Sequence, residues 1–181
     1  MKSSYELFPT PVWHIEGISQ QLVEELYQGA YHFKERHKNS ILSNQGGYQT
    51  PPFDWNKFHP QGKEYIDKGV GDIFNEIKVI KWWYNINGKG SWNLPHSHSG
   101  SDLALVLYLT DTDNLLTFIN PFSQRRLNEV AGFHPKTKKG DILIFPADLL
   151  HYVMPNPREE DRISISMNLQ LCGNSYIIGE G

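Results

Sequence analysis

Two imidazoles two residues apart, His96 and His98, stand in Asn93-Leu94-Pro95-His96-Ser97-His98, ahead of the apolar run Leu103 to Leu109. In an extended chain residues i and i+2 project to the same side, so this pair can hold one ion. His151 follows Gly140-Asp141-Ile142-Leu143-Ile144-Phe145-Pro146 and would add a third imidazole from a distant strand. Neutral imidazoles with open coordination positions suit Fe(II), and also Zn(II), Ni(II) or Cu(II). A second chemistry lies in the stretch after Asp161, where Arg162, Ser164, Ser166 and Asn168 alternate with Ile163, Ile165, Met167 and Leu169. Such alternation puts all the polar residues on one face of a strand. An arginine fork with a hydroxyl two residues on matches a carboxylate. If that face lines an interior, the guanidinium there requires an anion. If it faces solvent, Asp161, Glu159 or Glu160 pairs with Arg162.

These groups need strands to hold them. Lys78 to Ile86, Leu103 to Leu109, Leu115 to Ile119, Asp141 to Phe145 and Arg162 to Leu171 read as strands between Gly, Pro, Asn and Asp turns. Ahead of them, Ser19 is a plausible N-cap for a helix to about Lys38, with Leu22, Leu26, Ala30 and Phe33 on one face. A second helical pattern runs from about Gly62 to Glu76, weakened by Gly69 and Gly71. Leu7-Phe8-Pro9-Thr10-Pro11-Val12-Trp13-His14-Ile15 is broken by proline and can only be an edge strand or an extended lead-in. The expected architecture is α+β, mainly β, with N-terminal helices bracing a sandwich or jelly roll. A length of 181 residues fits one domain, 1–181, with helical support over about 1–76 and the strand core over about 77–181. On Lys81-Trp82-Trp83-Tyr84-Asn85-Ile86-Asn87, Asn85 is a candidate contact for cofactor or substrate, core packing being the other reading. His14, His32, His37, His59 and His134 lack spaced partners and read as surface or turn residues.

Composition closes off several classes. Seventeen basic against twenty acidic residues leave a net charge of -3 and no basic stripe, so nucleic-acid binding has no electrostatic support. Cys172 is the one cysteine, which excludes a disulfide framework and points to a reducing compartment. Neither a secretory signal nor a membrane-length apolar run is present, so the expectation is a soluble cytoplasmic protein without a membrane partner.

His96-Ser97-His98, Leu107-Tyr108-Leu109, Phe145-Pro146 through His151 and Arg162-Ile163-Ser164 together resemble the core of the 2-oxoglutarate/Fe(II)-dependent oxygenases. The similarity is greatest to an uncharacterised bacterial and phage branch related in pattern to prolyl hydroxylases. Leu7 to Trp13, Ser43 to Gln49 and Arg162 to Asn168 extend it over nearly the whole chain. The resemblance implies a double-stranded β-helix, or jelly roll, with Fe(II), 2-oxoglutarate and O2 as the reacting set. It makes His96 and His151 metal ligands, and Arg162 and Ser164 the pair that holds the C5 carboxylate. Tyr108 then reaches that same carboxylate. His98 stands where a carboxylate is usual, and three readings follow: His98 ligates, Asp102 takes its place, or water fills the position.

The expected function is hydroxylation of a C–H bond with release of succinate and CO2. The alternatives are a cupin-like metalloenzyme that does not use 2-oxoglutarate, and a non-enzymatic small-molecule binding module. The substrate, whether small molecule, peptide or protein, is not named by the sequence. The oligomeric state is open, a homodimer being one option, and a phage origin would place the protein in the host cytoplasm. Ser43 to Pro60 and Asn120 to Lys139 are candidate lids.

Overall fold

The computed structural model describes residues 10–40, 42–74, 76–120 and 132–172. The first five strands in chain order are β1 (Trp13–Ile15), β2 (Asn44–Gln45), β3 (Tyr48–Gln49), β4 (Ile77–Asn87) and β5 (Trp92–His96). The remainder are β6 (Leu103–Tyr108), β7 (Leu116–Ile119), β8 (Gly132–Phe133), β9 (Ile142–Pro146), β10 (His151–Val153) and β11 (Arg162–Leu171). Helix α1 spans Gln20–Arg36 and α2 spans Pro60–Gly71. The strands form two antiparallel sheets, one ordered β1-β9-β6-β11-β4-β3 and the other β2-β5-β10-β7-β8. Strands adjacent in sequence repeatedly fall in different sheets, which is how His96 and His151 become neighbours: they are register partners on β5 and β10.

The predicted helices and the five predicted strands are present, with shifted ends. Ser19 Oγ accepts from the Leu22 amide at 3.2 Å and caps α1, a contact worth about 1 kcal/mol. Helix α2 starts earlier than its apolar pattern, because Pro60 suits a first turn whose N–H has no partner and His59 Nδ1 accepts from Gly62 N. It stops at Gly71, so the predicted extension to Glu76 does not form; Gly69 and Gly71 lower helix propensity there. The lead-in ends in β1, which lies at the edge of its sheet beside β9; residues 7–9 of that stretch lie outside the described residues, as do 121–131 of the second candidate lid. Three histidines read as lone residues have partners. His14 Nε2 lies 2.9 Å from buried Asp141, His59 lies 3.4 Å from Glu25, and His134 Nδ1 lies 3.0 Å from Thr117 Oγ1.

Two apolar clusters fix the layers. One joins α1 residues Leu22, Leu26 and Ala30 to Trp82, Tyr84 and Ile86 of β4 and to Ile163, Ile165, Met167 and Leu169 of β11. The other joins Ala104, Tyr108, Leu143 and Phe145 of the six-stranded sheet to Leu116, Phe118 and Val153 of the five-stranded sheet. The helices therefore cover one face of the larger sheet, and the second sheet covers the other. The polar face of β11 points between the sheets: Arg162, Ser164 and Ser166 are 5%, 4% and 8% exposed. A solvent face is thereby excluded. A slip of one residue would exchange this face with the isoleucine face, each member of which gains about 1.5–3 kcal/mol on burial.

One end of the sandwich is joined by amides. The Gly47 amide donates to Asn44 Oδ1 (3.0 Å), Asn44 Nδ2 to Asn87 Oδ1 (2.8 Å), Asn87 Nδ2 to Asn93 Oδ1 (3.1 Å), and Asn93 Nδ2 to Ser43 Oγ (3.2 Å). No helix of the described residues is long and apolar enough to cross a membrane.

The docking of α1 depends on a close approach. A Cβ at Gly29 would stand 2.8 Å from Tyr84 Oη, a hydroxyl held by the Leu26 carbonyl at 3.0 Å. Overpacking of this kind costs about 1–3 kcal/mol, more than the roughly 1 kcal/mol of helix propensity that alanine adds. Gly29→Ala is therefore expected to lower stability by about 1 kcal/mol and to become neutral or stabilising in a Tyr84→Phe background. Additive effects in a denaturant double-mutant cycle would contradict this contact.

Candidate active site

The three histidines arrive from a strand end, the turn after it and the start of another strand. His96 closes β5, and the His98 amide donates to the Ala147 carbonyl at 2.7 Å, which draws the chain across to the end of β9. His151 opens β10 between β5 and β7. One ligating nitrogen from each ring lies within 4.8 Å of the other two. Each Nδ1 has an acceptor: the Leu94 carbonyl for His96 (2.6 Å), Asn168 Oδ1 for His98 (2.8 Å) and the Leu149 carbonyl for His151 (2.8 Å). An acceptor at Nδ1 requires the proton there, which leaves the Nε2 lone pair free for a cation. Nε2 of His98 and Nε2 of His151 face each other at 3.3 Å. With both protons on Nδ1, that pair is two acceptors in opposition, an arrangement that a shared cation relieves.

Burial keeps these rings neutral. It lowers the pKa of His96, and takes His98 to about 4 and His151 to about 3, the neighbouring imidazoles adding to the shift. Asp102 is elsewhere: it is exposed on the sheet rim, with Oδ2 accepting from the Leu171 amide at 2.8 Å. The geometry brings His98, not Asp102, into the cluster.

At the far end of the same cavity stand Arg162, Ser164 and Tyr108. Ser164 is the register partner of Tyr108 on β6 and of Asn85 on β4, so the three side chains form a row across three strands. Asn85 Nδ2 donates to Ser166 Oγ at 3.0 Å. The carboxylates considered as surface partners for Arg162 are engaged differently. Asp161 accepts from the Tyr31 hydroxyl at 2.9 Å and Glu159 pairs with Lys89, while Glu160 is exposed. Arg162 Nε and the Tyr108 hydroxyl are buried without a hydrogen-bond partner. Burial lowers Arg162 to about 10 and raises Tyr108 to about 12, so at neutral pH the cavity presents a cation and a phenol donor. Two orphaned donors and a serine hydroxyl are a receptor for a carboxylate.

Sequence reasoning did not assign Asn168 a role. Its position six residues beyond Arg162 on the same strand face was the available signal, since that face also carries Ser164 and Ser166 of the site.

Solved structures with a similar fold include three that are described as follows. HygX of Streptomyces hygroscopicus, with nickel and 2-oxoglutarate bound, is 14% identical over 90% of this chain and 83% of its own, with a TM-score of 0.66. A Pseudomonas putida prolyl-4-hydroxylase is 13% identical over 91% and 94%, with a TM-score of 0.61. The epimerase SnoN of nogalamycin biosynthesis, described as α-ketoglutarate dependent, is 12% identical over 90% and 78%, with a TM-score of 0.68. Residues 81–168 match the family model described as "Putative 2OG-Fe(II) oxygenase". That segment holds His96, His98, His151, Arg162, Ser164 and Tyr108, and the likeness to the solved structures extends the same fold over about nine-tenths of the chain. No curated protein matches the chain by sequence.

Two outcomes follow from the second layer of contacts. Asn168→Leu removes the acceptor that fixes the His98 tautomer and is expected to weaken Zn(II) binding about 10- to 100-fold, read by competition with a chromophoric chelator. An unchanged affinity would make Asn168 a bystander. The lowered histidine pKa values also set a pH dependence. The unfolded chain takes up protons first as pH falls below about 6.5, so the stability associated with neutral His98 and His151 is complete above that pH and is lost towards 4 and 3. Melting temperatures of metal-free protein should fall between pH 6.5 and 4, and less steeply in His151→Phe.

Proposed function

We propose that the protein is a non-haem Fe(II) and 2-oxoglutarate-dependent oxygenase that hydroxylates a C–H bond of its substrate. The observation that carries this reading is one cavity with three neutral, Nδ1-anchored imidazoles at one end and a buried arginine whose Nε has no hydrogen-bond partner at the other. The facing sheets correspond, in this reading, to a jelly roll formed within a single domain. The metal ligands are His96, His98 and His151. Arg162, Ser164 and Tyr108 hold the distal carboxylate of 2-oxoglutarate, and Asn85 borders it.

The donor set fits a divalent metal, and the orphaned donors fit a dicarboxylate. When bound, the metal and cosubstrate supply the oxidation: substrate R–H, O2 and 2-oxoglutarate become R–OH, succinate and CO2. The protein's own residues supply orientation and exclusion of water. The Leu94 and Leu149 carbonyls and the Asn168 amide hold the rings in the tautomer that binds metal. Arg162 remains protonated in a buried wall, where its charge is weakly screened. Phe118 and Phe145 pack edge-on against His151 and give that side of the ring an apolar wall.

A three-histidine set without a carboxylate also suits a cupin-like metalloenzyme that needs no cosubstrate. The buried Arg162 Nε and Tyr108 hydroxyl, which have no hydrogen-bond partner, speak against it, because such an enzyme has no use for a carboxylate receptor beside its metal. Anaerobic addition of Fe(II) and 2-oxoglutarate should give a weak visible charge-transfer band, with succinate formed on admission of air. Absence of both would overturn the reading. Arg162→Ala is expected to weaken 2-oxoglutarate binding by about 10- to 100-fold, the scale of a lost charge-assisted hydrogen bond, with metal affinity retained. If the metal is lost as well, the arginine is structural.

A further inference from the structure

A surface groove of about 570 Å³ opens onto the outer side of the histidine cluster. It shares Ser43, Trp83, His96 and His98 with the inner cavity, so the two adjoin at the proposed metal site. Its composition is unusual for this molecule. Four large apolar side chains are exposed among the described residues, and two of them, Leu42 at 62% and Leu94 at 38%, flank this groove. Trp83, stacked on His98 with ring centres 5.7 Å apart and planes 25° apart, lies between the groove and the cavity.

Charge in the groove is of one sign. Lys81 is the one charged side chain among its lining residues, and Arg162 is the one permanent charge lining the cavity behind it. Among the described residues no carboxylate lines either space, although the chain as a whole is net acidic at -3. The strand spaces these groups regularly. Lys81, Trp83 and Asn85 alternate along the inner face of β4, with about 7 Å between successive members. The cation therefore stands at the mouth, the indole beside the histidines and the amide in the cosubstrate cavity. Gln49 adds an unused group: it is 2% exposed, lines the groove, and its Oε1 has no hydrogen-bond donor.

We propose that this groove is the primary-substrate site and that it takes a small organic acid with an apolar body. The acid group pairs with Lys81, the apolar body lies against Leu42, Leu94 and Trp83, and the Gln49 amide takes a polar N–H or O–H of the ligand. Apolar walls supply the contact area, while the single sign of charge excludes cationic molecules of the same shape. The assignment rests on the oxygenase reading for its link to catalysis, and its binding content can be tested apart from turnover.

Matched acid and amide pairs, 4-phenylbutyrate with 4-phenylbutyramide and octanoate with octanamide, are titrated into protein saturated with Zn(II) and 2-oxoglutarate. The Trp83 indole N–H resonance, assigned with Trp83→Phe, reports binding. An exposed ion pair predicts a preference of about threefold to fivefold for the acid, lost in Lys81→Ala and reversed in Lys81→Glu. Equal binding of acid and amide, a preference that survives Lys81→Ala, or no response from Trp83 overturns the proposal. Titration of the metal-free protein supplies the control. Acids that bind there and are displaced by 2-oxoglutarate occupy the Arg162 end, which also overturns it. A Lys81-dependent preference in a protein that binds neither metal nor 2-oxoglutarate supports the acid site and removes the oxygenase reading instead.

Discussion

The structure depends on the burial of one polar strand face between two apolar layers. β11 turns its isoleucines, methionine and leucine towards the helices, and that burial fixes its register against β4 and β6. The same register forces Arg162, Ser164 and Ser166 into the interior, where a guanidinium without an anion is costly. Folding energy from one face thus maintains an unfavourable arrangement on the other. A ligand carboxylate relieves what the apolar face has imposed. Preorganisation here is a property of strand alternation, and requires no strained backbone.

The histidine cluster follows the same logic in a different chemical form. Three rings sit where burial disfavours protonation, and each is oriented through Nδ1 by an acceptor that has no other function in the cavity. Two of those acceptors are main-chain carbonyls two residues before their histidine, so the local chain path aims the ring. The third, on His98, is a side chain from the central strand of the opposite sheet. The ring at the position lacking the usual carboxylate is therefore the one whose orientation depends on sheet-to-sheet registry.

Much of this was legible in the sequence, for identifiable reasons. The long strands β4, β6 and β11 alternate or run apolar over enough residues to declare themselves, and the imidazole spacing put His96 and His98 on a common side. The strands β5 and β10 were not legible. Trp92–His96 contains a proline, and His151–Val153 has three residues, too few for a period to emerge. Whether the Arg162 face met solvent or interior was undecidable from alternation alone, since both give the same pattern. The fates of Asp161 and Glu159 depend on contacts to Tyr31 and Lys89, remote in sequence. The helical pattern after Gly62 overran because Ile73 and Phe74 are apolar for another reason: Phe74 packs edge-on against Trp13.

The amide series from Gly47 through Asn44, Asn87 and Asn93 to Ser43 runs in a single direction, every member donating to the next. Each of its asparagines uses both ends of its side chain within the series. Reversing Asn44 or Asn87 would set donor against donor on one side and acceptor against acceptor on the other. The direction is set at its start by the Gly47 backbone N–H, which can only donate, so the series behaves as a one-bit lock with a single stored value. Each asparagine spends one amide hydrogen and one carbonyl lone pair on the series, which fixes the orientation of its side chain. The wall carrying Ser43 and Asn93 thereby holds its shape irrespective of what occupies the space beside it.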